Sequence, residues 1–265
     1  MLVKNTNLSR ILVLIIVSLV LRFSVLQYAD QLNISDAKRY YEVSANLDQN
    51  DLTLDFTQKK WYDFAPIHIL FLYLTDRNLI VQIFLSVITV LILYNVNNIL
   101  GWIWCFYPVS IFNSVSYFKE NLLFFFIAVI LWLYHYKSKW FLVFLPFVFL
   151  GFTGFYSISY NQTVFADAGL MHKFWRMWKP EFNILCYIDE SWNYILLIPY
   201  SILIICYIRT AEINMITIMI FFYTLTVTYI HGYSRFREPI LIFIIYEVIR
   251  KIHDRTSNKI FDELF

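Results

Sequence analysis

Two carboxylates and a scatter of basic side chains mark where this chain could do chemistry. Asp36 stands in Asn33-Ile34-Ser35-Asp36-Ala37-Lys38-Arg39-Tyr40-Tyr41-Glu42, directly after the first long apolar run. Ala37, Tyr40, Tyr41, Ser44 and Leu47 recur at helical spacing and Ser35 is a candidate N-cap, which predicts a short amphipathic helix lying on a membrane surface. In the first turn of that helix the dipole favours the ionised carboxylate, so Asp36 is either a proton acceptor facing the membrane surface or a residue that steadies the helix start. Glu120 closes the segment from Tyr107-Pro108 through Ser114 and Ser116 to Lys119, at the boundary of the next apolar run. A carboxylate there needs water or a partner, and it serves as an interfacial anchor or as part of a site. Near the C-terminal end, Arg235-Phe236-Arg237-Glu238-Pro239 presents two guanidinium forks that match phosphate oxygens, whether of a substrate or of a phospholipid headgroup. His172, Lys173 and Arg176, interleaved with Phe174, Trp175 and Trp178, form either an interfacial aromatic and basic belt or a seat for an anionic lipid.

What must position these residues is a set of apolar helices. Of 265 residues 60% are hydrophobic and 15% charged, against about a quarter charged in an ordinary soluble chain, so the solvent implied is lipid. Spans are predicted over Ile11 to Tyr28, Leu79 to Tyr94, Ile99 to Tyr117, Asn121 to His135, Trp140 to Ser157, Trp192 to Ile208, Ile213 to Ile230 and a short one over Pro239 to Ile249. Pro66 to Leu74 is apolar but half a span, which suits an interfacial or re-entrant piece. The fold expected is all-α: one transmembrane helical bundle of about eight spans over residues 1–265, with the amphipathic helix in the first outer loop. The first run follows Lys4 and Arg10 as a signal peptide would, but no small-residue cleavage site precedes Asp30, so it reads as a retained span. Lys137, Lys139, Arg209, Arg250, Lys251, Arg255 and Lys259 fall on one side if both termini are cytoplasmic, as the positive-inside bias requires. The two long polar segments, about 29–75 and 158–191, then face outward. Arg22, inside the first span, calls for a buried partner.

A net charge of +2 with no dense basic run argues against a nucleic-acid partner. Cys105, Cys186 and Cys206 have no metal-ligand spacing and read as packing residues.

In order and placement these segments resemble the GT-C class of membrane glycosyltransferases, in particular the branch containing dolichyl-phosphate-mannose protein mannosyltransferases and aminoarabinose transferases. Asp36 with Arg39-Tyr40 is similar to that family's acidic motif of the first outer loop. Ala65-Pro66 before the apolar half-span resembles its Pro-Pro motif, Tyr107-Pro108 on to Glu120 its Tyr-Pro…Ser…Glu segment, and Arg235 to Pro239 its Arg-Tyr-Arg-x-Pro start of a late span. Ala37 stands where a second carboxylate is frequent, and the chain is shorter than typical members. The resemblance implies transfer of a sugar from a polyprenyl-phosphate donor, on the outer face of a cell membrane, to a hydroxyl or amine of a lipid, glycan or protein acceptor. Asp36 would be the base and Glu120 would orient the acceptor or help hold Mg²⁺ or Mn²⁺. Arg39, Tyr40, His172, Lys173, Arg176, Arg235 and Arg237 would bind the substrates. A polymerase or ligase of lipid-linked glycans would need the same outward basic site. A different class is a lipid or sugar-lipid translocase, or a non-catalytic envelope-complex subunit; translocation would favour charges lining the spans near mid-membrane.

Overall fold

The computed structural model describes residues 2–33, 35–47, 65–138, 140, 169–178, 189, 191–230 and 238–264, and among these the regular structure is helical throughout. The helices are α1 (Leu2–Ser24), continued by a 3₁₀ turn (Leu26–Tyr28) and α2 (Ala29–Leu32), then α3 (Ser35–Asn46), α4 (Pro66–Leu74), α5 (Leu79–Val96), α6 (Asn98–Phe106), α7 (Pro108–Asn113), α8 (Glu120–His135), α9 (Leu170–Trp178), α10 (Ser191–Thr210), α11 (Met215–Ile230) and α12 (Glu238–Leu264). The expected span over Trp140 to Ser157 lies, apart from Trp140, outside the described residues.

Local chemistry sets the boundaries. The Asn78 side chain accepts from Ile80 N at 2.8 Å to start α5, and the Asn97 side chain accepts from Ile99 N and Leu100 N to start α6. The apolar run Ile99 to Tyr117, expected as one span, is broken. Pro108 lacks an N–H and forces Tyr107 out of helical geometry, to ψ 113°, so α6 ends and α7 restarts with proline in its first turn. The last helix runs well past Ile249 because hydropathy ends there while helical pairing does not: Glu247 accepts from Arg250 and from Asn214 Nδ2, each at 2.9 Å, and Lys251 pairs with Glu212.

The core forms where α5 lies between α8 and α6, with α1 on its outside and α12 across α8, α6 and α10. Helices α5 and α8 run parallel. Asn121 Nδ2 meets Gln82 at one end, while Trp132 Nε1 and the Tyr136 hydroxyl donate to Asn95 Oδ1 at the other. The loop from α5 to α6 is tight enough that a Cβ on Gly101 would stand 2.5 Å from Tyr94 Cα. Gly101→Ala is therefore expected to cost about 1 to 3 kcal/mol by forcing the two backbones apart, read as a lower unfolding midpoint in detergent. An unchanged midpoint would show that α6 is free to shift.

Polar side chains are buried within the apolar core, and apolar ones line parts of the surface. Ser18, Arg22, Gln82, Ser86, Thr89, Ser110, Asn121 and Glu247 are buried, whereas Leu12, Ile16 and Val20 of α1 and Ile195, Ile198, Ile202 and Ile205 of α10 are exposed along helical stripes. The exposed apolar stripes suit a lipid surround, where apolar side chains need no cover and polar groups must find protein partners. Two segments, Leu8–Leu32 and Leu79–Val96, are long and apolar enough to cross a membrane, and Glu120–His135, Tyr194–Thr210 and Met215–Leu225 are shorter apolar helices.

Candidate functional site

Helix α3 forms where its amphipathic spacing predicts. Ala37, Tyr40, Ser44 and Leu47 are buried, and Tyr41, the fifth member of the predicted face, is exposed but set against Tyr117 with ring centroids 5.0 Å apart. The seat beneath is α4, whose bounds match the predicted half-span. Tyr40 meets the His68 ring edge-on at 5.3 Å, and Tyr40 and Leu47 pack with Ala65, Ile69 and Leu72. Ala65, before Pro66, holds a left-handed φ of 50°, and Asp76 and Arg77 do so at 49° and 55° where the chain leaves α4. Left-handed geometry at a residue with a Cβ is unfavourable, so packing must hold it. Its effect at Arg77 is to send the guanidinium back over α3, where Nη1 donates to Ser44 O at 3.3 Å and the group lies 5.9 Å over the Tyr41 ring.

A second set of contacts ties Asn33, just before α3, and His68 of α4 to the segment before Glu120. The Asn33 Oδ1 accepts from Tyr117 N at 2.7 Å and its Nδ2 donates to Val115 O at 3.4 Å, a side-chain amide standing in for a backbone neighbour. His68 Nε2 donates to Tyr117 O at 2.7 Å, since a carbonyl can only accept. The lone pair therefore sits on Nδ1, which is buried without a partner among the described atoms. Burial pushes the His68 imidazole down to about 4, with Lys119 adding to the effect, so the ring is neutral at physiological pH. The turn from Asn113 to Phe118 is stabilised from within: Ser114 Oγ donates to Ile111 O at 2.6 Å, and Ser116 Oγ donates to Asn113 O and accepts from Phe118 N.

These ties put the starts of α3 and α8 at the same end of the molecule, and with them Asp36 and Glu120. Asp36 lies in the first turn of α3, its side chain outside the described residues. Glu120 opens α8, is 5% exposed, and lies within electrostatic reach of Tyr223 on α11. Arg39 is exposed on α3 and Tyr40 is buried against His68. His172 is exposed on α9, which packs on α11, carries the buried Met177 and accepts a bond from the Tyr200 hydroxyl at Trp178 O, 3.2 Å. The side chains of Lys173 and Arg176, and all of Arg235 and Arg237, lie outside the described residues. Their neighbour Glu238 accepts a hydrogen bond from the Tyr107 hydroxyl, joining the Tyr-Pro segment to the start of α12.

Sequence reasoning missed Asn33, His68, Gln82 and the Tyr107–Glu238 pair. The signal available for His68 was a titratable side chain within an otherwise apolar nonapeptide. For Arg22 the missing partner proves to be a set of neutral ones: Nε donates to Ser86 Oγ at 2.7 Å, Nη1 to Ser18 Oγ at 2.8 Å and Ser18 O at 3.3 Å, and Nη2 to Ser110 Oγ at 3.1 Å. Cys105, read as simple packing, lies beside this guanidinium. Among the described residues no three His, Cys, Asp or Glu side chains come together to hold an ion; the Asp36 carboxylate, one of the two candidate ligands, lies outside that set.

Comparison with known proteins gives no matching family model, no matching curated protein and no matching solved structure.

Proposed function

We propose that this chain is a multi-pass membrane glycosyltransferase that takes its sugar from a polyprenyl phosphate at the outer face, with about eight spans and both termini in the cytoplasm. The observation that supports the reading is the packing of α3 on α4 through Tyr40 and His68, together with the bonds of Asn33 and His68 to residues 115–117, which brings Asp36 and Glu120 to one end of a molecule with apolar stripes on its outside.

In this reading the acceptor hydroxyl or amine gives its proton to Asp36 as its oxygen or nitrogen attacks the anomeric carbon, and the bond from that carbon to the carrier phosphate breaks. The phosphate leaves as a stable anion, so no general acid is needed. Arg235 and Arg237, with Lys173 and Arg176, stabilise its charge, while Glu120 orients the acceptor. The remaining partners are membrane lipids and the acceptor itself. Against the translocase alternative stands Arg22. Its N–H groups are taken up by Ser18, Ser86 and Ser110, which makes it a tie between helices and leaves little to offer a passing substrate.

The test has two parts. Single cysteines at Asp48 and Asn161 in a cysteine-free background should label from outside with an impermeant thiol reagent, and those at Ser138 and Ser257 should not; reversed labelling sinks the orientation. Purified protein in liposomes, supplied with a panel of polyprenyl-phosphate sugars and candidate acceptors, should release polyprenyl phosphate and form glycosylated product. Failure with every donor would favour the non-enzymatic reading.

A further inference from the structure

The amide pair Gln82 and Asn121 is over-equipped for joining two helices. Both side chains are buried, at 0% and 1% exposure, in the first turns of α5 and α8 at the end that carries Asp36 and Glu120. Asn121 Nδ2 donates to Gln82 O at 2.9 Å and to Gln82 Oε1 at 2.8 Å. The first bond fixes which way the Asn121 amide points, because a backbone carbonyl can only accept; the second then fixes the Gln82 amide. What is left over is Gln82 Nε2, a donor, and Asn121 Oδ1, an acceptor, both buried and both without a partner among the described atoms. A buried polar group without a partner is costly, and a contact needed only to hold α5 against α8 would be complete with the two bonds already made.

The two amides touch through the Nδ2–Oε1 bond, so one unused donor and one unused acceptor belong to a contacting pair, a set complementary to a hydroxyl, which accepts from an N–H and donates to a C=O. A carboxylate or phosphate could satisfy only the first, and an ammonium only the second. The next residue along α8 toward the outer end is Glu120. We propose that Gln82 and Asn121 form a hydroxyl-reading subsite for the lipid-linked sugar, setting the ring beside Glu120 and discriminating donors by that hydroxyl. This rests on the transferase reading above. The other source of a hydroxyl is an internal water, which would satisfy the pair without conferring any specificity.

Monodeoxy donors separate the two. Full-length protein in nanodiscs is titrated with polyprenyl-phosphate mannose, glucose, galactose and aminoarabinose, with bare polyprenyl phosphate, and with monodeoxy analogues of the best-bound sugar. The same series is run on Gln82→Met, which removes the free donor while Asn121 keeps its bond to Gln82 O, and on Asn121→Leu. In the natural protein, loss of one particular hydroxyl should weaken binding by about 10- to 100-fold. In Gln82→Met that same deoxy donor should bind as well as its parent, with affinity for bare polyprenyl phosphate unchanged as the measure of a folded site. Equal deoxy penalties in the natural protein and in Gln82→Met would overturn the subsite and assign the pair to water, leaving the transferase reading in place. Binding of no sugar form above the bare carrier would instead overturn the transferase reading, and the subsite with it.

Discussion

Replacing Asp36 by Asn should lower sugar transfer by about 10² to 10⁴ while the purified protein stays monodisperse and still binds its lipid-linked donor. The substitution is close to isosteric and asparagine is compatible with a helix start, so the fold of α3 survives it. What disappears is the negative charge and the capacity to take a proton from the acceptor. Were Asp36 only a favourable charge at the helix N-terminus, the loss would be about 0.3 to 1 kcal/mol of stability, with turnover unaffected. The two readings therefore differ in kind as well as in size, and transfer, donor binding and unfolding must be measured on one preparation. Asp36→Glu should fall between, because it keeps the carboxylate but moves it by one methylene. An Asn variant that transfers sugar at the natural rate would remove Asp36 from the mechanism and make Glu120 the next carboxylate to test.

How much of this was legible beforehand divides along physical lines. Features governed by local periodicity were readable: the half-span Pro66–Leu74 and the amphipathic helix Ser35–Asn46 both occur, with Ala37, Tyr40, Ser44 and Leu47 inward. Tyr41 was placed on the same face and is exposed, since a ring at the rim of a helical stripe is decided by its neighbour, here Tyr117. Where apolar length was used as a proxy for helix, it failed in both directions. Pro108 divided an apolar run into α6 and α7, and the charged residues after Ile249 ended the apolar run without ending α12. Features that depend on partners from other helices had no sequence signature. Nothing in the residues around Asn33 names Tyr117, and nothing near Gln82 names Asn121, because each lies in a run whose polarity says only that something must meet it. The bond that joins the Tyr-Pro segment to the start of the last helix, from the Tyr107 hydroxyl to Glu238, had no signature for the same reason.

The buried arginine makes the second large prediction, and its sign is unusual. Arg22 is fully buried, and its bonds run to Ser18 on its own helix, Ser86 on α5 and Ser110 on α7. Those are the helices that carry the chain toward Asn33 and Asp36 on one side and toward Glu120 on the other. A charge so placed is tolerated only while every N–H is met, so Ser86→Ala with Ser110→Ala should cost about 3 to 6 kcal/mol, two hydrogen bonds to a charged group at roughly 1.5 to 3 each. Arg22→Met should cost much less than this pair of serine changes. Removing the charge removes its desolvation, and serine hydroxyls released within a helix can turn to the carbonyl four residues back, as Thr89 Oγ1 does to Leu85 O at 2.9 Å. The decisive measurement is the combination of all three substitutions, followed by equilibrium unfolding in mixed micelles. Adding Arg22→Met to the serine pair should restore most of the lost stability, a coupling of several kcal/mol between residues in direct contact. Losses that merely add would mean that the guanidinium is met by something other than these hydroxyls, with Cys105 of α6 beside it.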